Sequence, residues 1–150
     1  MVTTSRGTPV GTKLGDGYQC LIAFAQDADV SLWEKAVTPP GIDGGDAVET
    51  STMHNTTYRT KAARQLKELT DASFTAAYDP AVYDQIVALI NVEGWITIHF
   101  PDGSTLDFMG YLKSFAPGEI VEGSQPEAEC EIVCTNENST GAETGPTYTA

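Results

Sequence analysis

Residues 78–115 carry the clearest alternation of apolar and polar positions in the chain. Asp79 has the side chain of an N-cap and Pro80 suits a first helical turn, so a helix is predicted to begin there. Val82, Ile86, Leu89 and Ile90, with Tyr83 and Val87 at the shoulders, form one broad apolar stripe at helical spacing. After Gly94 the period drops to two: Ile96, Ile98 and Phe100 point one way, and Trp95, Thr97 and His99 the other. Pro101, Asp102 and Gly103 predict a tight turn, glycine supplying the positive φ. The return strand sets Leu106, Phe108, Gly110 and Leu112 on one face and Asp107, Met109, Tyr111 and Lys113 on the other. One amphipathic helix thus leads into a long hairpin.

The same reading extends to the flanks. Residues 1–17 are rich in Thr and Gly, so a loosely held N-terminus is expected, flexible over 1–8, with one short strand around 9–14. Cys20, Ile22 and Phe24 alternate with Leu21, Ala23 and Ala25, which predicts a strand buried on both faces. After a polar turn, 30–38 reads as a strand with Leu32 and Glu34 on one face and Trp33, Lys35 and Val37 on the other. Pro39, Pro40 and Gly41 stop it. Residues 42–52 are poor in apolar side chains and predict a strand that faces no core. Residues 55–63 are polar, basic and without period, which predicts a long mobile loop.

From 65 to 79 one long antiparallel strand is expected, with Ala72, Phe74, Ala76 and Tyr78 inward and Asp71, Ser73, Thr75 and Ala77 outward. A last long strand is expected over 119–135. Ala128, Cys130, Ile132 and Cys134 share one of its faces; Glu127, Glu129 and Glu131 share the other, where they repel one another unless that face is wet or meets cations. Residues 136–150 are expected as a flexible tail, disordered or ordered on assembly.

About seven strands and one α-helix make a single, mainly β domain over 1–150, an antiparallel β-sandwich or barrel with the helix over one open end. A chain of 150 residues buries enough surface to fold without staples. No stretch is apolar for long enough to span a bilayer, and 1–17 lacks a secretory pattern, so a soluble chain that stays where it is made is expected, with no membrane partner. The three cysteines Cys20, Cys130 and Cys134 lack any metal or redox spacing and are expected as small buried hydrophobes in a reducing compartment. The predicted strand edges lack protecting prolines or inward lysines, which leaves them open to pairing with another subunit.

Charge changes the picture. With 21 acidic residues against 8 Lys and Arg the net charge is −13, so the basic footprint of a nucleic-acid reader is missing. Four of the eight basic residues, Arg59, Lys61, Arg64 and Lys67, nevertheless fall within nine positions. They make either a solvated basic segment or a positive tongue that docks on an acidic neighbour.

Candidate chemistry is sparse. His54 lies in a linker and His99 on an outward strand face, and nothing places an orienting carboxylate beside either, so no catalytic set is expected. No glycine pattern supports a nucleotide loop. Glu127, Glu129 and Glu131 point in one direction and do not encircle an ion. No enzyme, cofactor or metal site is therefore expected.

The segment Glu49, Thr50, Ser51, Thr52 ahead of the basic loop, the strand Ala72, Ser73, Phe74, Thr75 before Tyr78, Asp79 and Pro80, and the helix to Gly94 resemble phage tail tube proteins. So does the run His99, Phe100, Pro101, Asp102, Gly103 followed by Phe108, Met109, Gly110, Tyr111. The family is that of the major tail tube subunits of long, lambda-like tails, and the resemblance covers 13–134. It implies a tail-tube fold and a structural role in the virion tail, assembled in the host cytoplasm. Six copies would close into a ring, their sheets joined into one barrel, and rings would stack into the tube through which phage DNA leaves without specific binding. Its implied partners are further copies of the chain and the tape measure, tail terminator and tail tip proteins. On that expectation residues 53–65 form an assembly loop, with Arg59, Lys61, Arg64 and Lys67 at contacts between subunits or rings, and Asp43, Asp46, Glu49 and Asp71 are lumen-facing candidates. The competing reading is a small acidic β-sandwich binding or adhesion module, with Trp33, Trp95, Tyr111 and His99 as an exposed aromatic platform.

Overall fold

The computed structural model describes residues 20–26 and 33–150. Its elements run β1 (Leu21–Phe24), β2 (Trp33–Thr38), β3 (Ile42–Asp43), β4 (Val48–Glu49), β5 (Lys61–Ala62), β6 (Glu68–Leu69) and β7 (Ala72–Ala77). A 3-10 turn (Pro80–Val82) and helix α1 (Tyr83–Leu89) follow, then β8 (Gly94–His99), β9 (Thr105–Pro117), β10 (Glu127–Cys134) and β11 (Thr147–Thr149). Seven strands form one antiparallel sheet in the order β1-β8-β9-β10-β7-β2, with β11 beside the start of β9. The mainly β, antiparallel class expected from the alternation is the one observed.

β9 ties the sheet together by changing partners. Its residues 105–110 pair with β8, from Thr105 opposite His99 to Gly110 opposite Gly94. From Gly110, opposite Cys134, to Pro117, opposite Ala128, it pairs with β10. A β-bulge falls where Ile132 faces Leu112 but Glu131 faces Ser114, so Lys113 is the extra residue. The core gathers on one face: Phe24, Phe74, Ile96, Ile98, Phe108, Leu112, Cys130 and Ile132 lie within it, and Phe108 is wholly buried. Cutting such a ring back to alanine costs roughly 3–5 kcal/mol.

The helix covers this face. The Asp79 side chain accepts a hydrogen bond from Ala81 N at 3.0 Å, and the turn Pro80–Val82 feeds α1, which buries Ile86 and Leu89. Val82 and Ile90 pack at the margin, and the shoulder residues Tyr83 and Val87 stay largely exposed. Asn91, at φ 64°, ends the helix and donates to Leu112 O at 3.0 Å.

Several expectations are corrected by long-range pairing. The strand at Leu21–Phe24 is buried on one face only: Ile22 and Phe24 face the core while Leu21 and Ala23 are exposed, because β1 is a sheet edge with no second layer over it among the described residues. In β2 the extra residue Lys35 shifts the phase, so Glu34 and Val37 share the inward side while Trp33, Ala36 and Thr38 face out. Residues 30–32 of that predicted strand, like the 9–14 strand and the flexible 1–8 segment, lie outside the described residues. The single strand predicted over 65–79 is two, because Thr70 pairs with Gly41 and the backbone changes partner before Ala72. The last long strand starts at Glu127 rather than 119, since residues 118–126 turn the chain between β9 and β10. In the segment read as a tail, Thr147–Thr149 pairs with β9 as β11.

Residues 39–70 form an arm. β3 pairs with β6 and β4 with β5, each over two residues. Residues 55–63, expected as a long mobile loop, form the tip of this ribbon and, through Lys61–Ala62, part of one leg. Of its residues 41–70 only Leu69 is buried, at the base.

The sheet's two edges approach each other. Ile22 N, on β1, donates to Glu34 Oε1, on β2, at 3.3 Å. That side-chain contact stands where a closed barrel has a backbone ladder, and no strand among the described residues pairs with the outer edge of β2.

A Cβ on Gly110 would lie 2.5 Å from Val133 O, a backbone atom that cannot move without breaking the β9–β10 ladder. Gly110→Ala is expected to destabilise the fold by roughly 1–3 kcal/mol or more, read as a lowered midpoint of urea unfolding. Burial pushes the Cys130 thiol up to about 12, and burial with the nearby Asp71 charge pushes Cys134 up to about 11. Both thiols are thus held protonated by the fold. Their contribution to stability is complete below the ordinary thiol range and is lost as pH rises towards 11 and 12. Unfolding midpoints measured from pH 8 to pH 11 should fall, and Cys130→Ala should flatten that fall while lowering stability overall.

Candidate functional site

The structure assembles no catalytic centre from the candidate residues. His54 sits in the exposed tip of the arm and His99 at the exposed end of β8. Among the described residues no group of three His, Cys, Asp or Glu is placed to hold a metal ion, and no helix is long and apolar enough to cross a membrane. The four residues of the expected aromatic platform sit on three strands. Trp95 on β8 and Tyr111 on β9 lie on neighbouring strands, Trp33 lies on the edge strand β2, and His99 lies at the far end of β8.

What the fold presents instead is an exposed sheet face and two contrasting ends. On β10, Glu127, Glu129 and Glu131 face outward opposite Ala77, Thr75 and Ser73 of β7, while Ala128, Cys130 and Ile132 turn inward. Lys35 pairs with Glu127 and Lys113 with Glu131 at 3.5 Å. Both lysines are the extra residues of β-bulges, so the bulges bring cations onto this acidic face. The mutual repulsion of the three carboxylates is thereby reduced at both ends of the row.

The arm leaves the sheet after Thr38 and returns at Ala72, where Thr38 lies opposite Ser73. It is held by its own polar groups. Thr50 N donates to Thr60 O at 2.9 Å, Thr60 N donates to Ser51 Oγ at 2.8 Å, and Asn55 Nδ2 donates to Tyr58 O at 2.8 Å. Arg64 Nε donates to Asp46 O at 2.7 Å, which fixes one leg to the other. Arg59 approaches Glu49 at 3.9 Å, an exposed pair of little energetic weight. Met53, Tyr58 and Leu66 expose most of their surface. The predicted contact residues Arg59, Lys61, Arg64 and Lys67 thus lie together on this ribbon, and so do Asp43, Asp46 and Glu49. Asp71 stands at its root, immediately before β7.

The opposite end of the sheet is acidic. Glu127 lies opposite Ala77, at the end of β7 remote from the arm, so residues 118–126 cap the far pole. Residues 118–129 hold Glu119, Glu122, Glu127 and Glu129 and no Lys or Arg. A groove of about 580 Å³ runs there, lined among others by Pro117, Glu119, Val121, Gln125 and Glu129, with Ile120 exposed beside it. The sequence reading missed this pole because it assigned 119–126 to a strand. The glycines Gly118 and Gly123 with Pro126 were the available turn signal.

No protein-family model matches this sequence, and no curated protein is recognisably similar to it. Solved structures are. One is a chain of the tail of an empty gene transfer agent particle, solved with helical refinement and C6 symmetry: TM-score 0.63, 11% identity, covering 91% of this chain and 100% of that one. Another belongs to the virion of a native gene transfer agent particle, with TM-score 0.60, 13% identity and coverage of 91% and 100%. A third belongs to the sixfold-symmetrised baseplate of the anti-feeding prophage, with TM-score 0.56, 8% identity and coverage of 93% and 97%. At these identities the likeness is one of fold, and the fold of this chain is that of components of phage-like tail particles.

Proposed function

We propose that this chain is the structural subunit of a phage tail tube, of the lambda-like kind that the sequence resembles. The observation that carries the reading is its near full-length fold match to a chain of a tail solved with C6 symmetry. Six copies form a ring, and rings stack into a hollow tube. In this reading neighbouring copies complete the sheet, since among the described residues its two edges meet only through the Ile22–Glu34 contact and no backbone ladder closes them. The chain works as a scaffold without cofactor or turnover.

The channel wall in this reading is the exposed face of the sheet bearing Glu127, Glu129 and Glu131. A channel wall needs a surface that continues from copy to copy, which the sheet supplies and a two-stranded ribbon does not. Asp43, Asp46 and Glu49 therefore travel with the arm, and Asp71 marks the rim where arm and sheet meet. An anionic wall repels the phosphate backbone, so DNA slides through without being held. Tape measure, terminator and tip proteins meet the tube at its bore and ends, in the virion tail built in the host cytoplasm.

The arm makes the contacts between subunits. A ribbon this exposed is marginal in water alone, and its apolar side chains and basic residues become worth burying only against a neighbour. Electron microscopy of the purified protein should show sixfold rings or tubes, with Glu129 and Glu131 on the inner wall; a strict monomer that binds a sugar saturably would overturn the reading. Arg59→Glu with Lys61→Glu should leave the thermal melt unchanged and raise the concentration needed for tube growth about tenfold or more. Tubes of normal length from that variant would remove the arm from the mechanism.

A further inference from the structure

Neighbouring strands of the sheet are joined by backbone ladders, but β1 and β2, its two edges, meet through a side chain. Ala25 N donates to Trp95 O at 3.0 Å, so by alternation Ala23 and Ala25 turn their N–H groups towards β8 while Ile22 and Phe24 turn theirs to the outer edge. Ile22 N donates across that edge to Glu34 Oε1 at 3.3 Å. A strand laid along β1 would take up both outward amides; the carboxylate takes the one at Ile22.

A second observation places the Glu34 charge in this seam. The Cys20 thiol, immediately before β1, is pushed up by burial and then by the Glu34 charge. Glu34 is also an odd residue for its position. It lies opposite the buried Ala76 and shares the inward side of β2 with Val37, where a carboxylate loses water. Among the described residues no Lys or Arg pairs with it. The Ile22 amide is what it accepts from instead.

We infer that Glu34 is a latch on assembly: in a lone copy its carboxylate holds the edge of β1 against β2, and that hold has to be released before a strand of a neighbouring copy pairs along the same edge. This rests on the tail-tube reading and adds to it a contact that restrains the first pairing step. A hydrogen bond made within the chain needs no second copy, so it occupies the edge at any concentration. It is nevertheless a single bond, and a ladder of several backbone bonds outweighs it once a neighbour is in place. Free copies are thereby kept from pairing edge to edge while they are dilute.

The test uses two substitutions in the full chain. Glu34→Ala removes the acceptor. Glu34→Gln removes the charge but keeps an amide oxygen that accepts the same hydrogen bond, so it separates the latch from a general loss of repulsion between acidic copies. Glu34→Ala is expected to form tubes at a protein concentration about tenfold lower than wild type, while Glu34→Gln stays close to wild type. Hydrogen exchange at the Ile22 amide should be faster in unassembled Glu34→Ala than in the unassembled wild type, and slow again in tubes.

Thermal melts check that each variant is folded, and Glu34→Leu, which fills the space without an acceptor, replaces the alanine variant should that one fail to fold. A folded Glu34→Ala that needs as much protein as wild type or more overturns the latch and leaves the tail-tube reading standing. A Glu34→Gln that assembles as readily as Glu34→Ala does the same. If wild type and every folded variant stay monomeric at all concentrations, the reading itself is overturned, and the inference with it.

Discussion

A strand of thirteen residues, Thr105–Pro117, is the constraint on which the rest of the molecule depends. Its first half completes β8 and its second half completes β10, so the sheet exists as one piece only because this backbone stays extended through both. The exchange of partners happens at Gly110, opposite Gly94 on one side and Cys134 on the other, where a side chain would strike the Val133 carbonyl. Phe108 and Leu112, on either side of that point, carry the centre of the core, and α1 lies over them through Ile86 and Leu89. Sheet, helix and core are thus one cooperative unit.

Around that unit, burial is distributed unevenly. The inward faces of β1, β7, β8, β9 and β10 and the helix α1 supply the buried core, while the arm buries only Leu69. Hydrophobic burial alone therefore specifies the sheet and leaves the ribbon to local hydrogen bonds. The outward face is shaped by electrostatics. Three carboxylates on β10 would repel one another in a regular ladder, and the two bulges place Lys35 and Lys113 beside the outermost pair. An irregularity in strand register thus has an electrostatic consequence on the surface that the proposed tube would turn towards its channel.

The strands that carry the core were legible because their signal is local. Ala72, Phe74 and Ala76, then Ile96 and Ile98, then Phe108 and Leu112, then Ala128, Cys130 and Ile132 alternate at period two, a geometric property of any extended backbone, and each set is buried as that period requires. Asp79 and Pro80 signalled the helix start just as locally, by capping chemistry. The acidic balance and the clustering of Arg59, Lys61, Arg64 and Lys67 are likewise properties of the chain itself.

Tertiary structure alone decided everything that depends on partners distant in sequence. The bulges at Lys35 and Lys113 arise from register between strands, and they reverse the facing of Val37 in a way that no alternation within β2 reveals. The arm exists because Val48 meets Ala62 and Ile42 meets Leu69, pairings of polar, aperiodic segments that leave no hydrophobic trace. The placing of the arm and the acidic 118–129 segment at opposite poles required strand order and direction, since the two are brought to opposite ends of the sheet only by antiparallel pairing through β7. Amino-acid order encodes which side of a strand meets water; only backbone hydrogen bonds between remote segments set which ends of the molecule those strands reach.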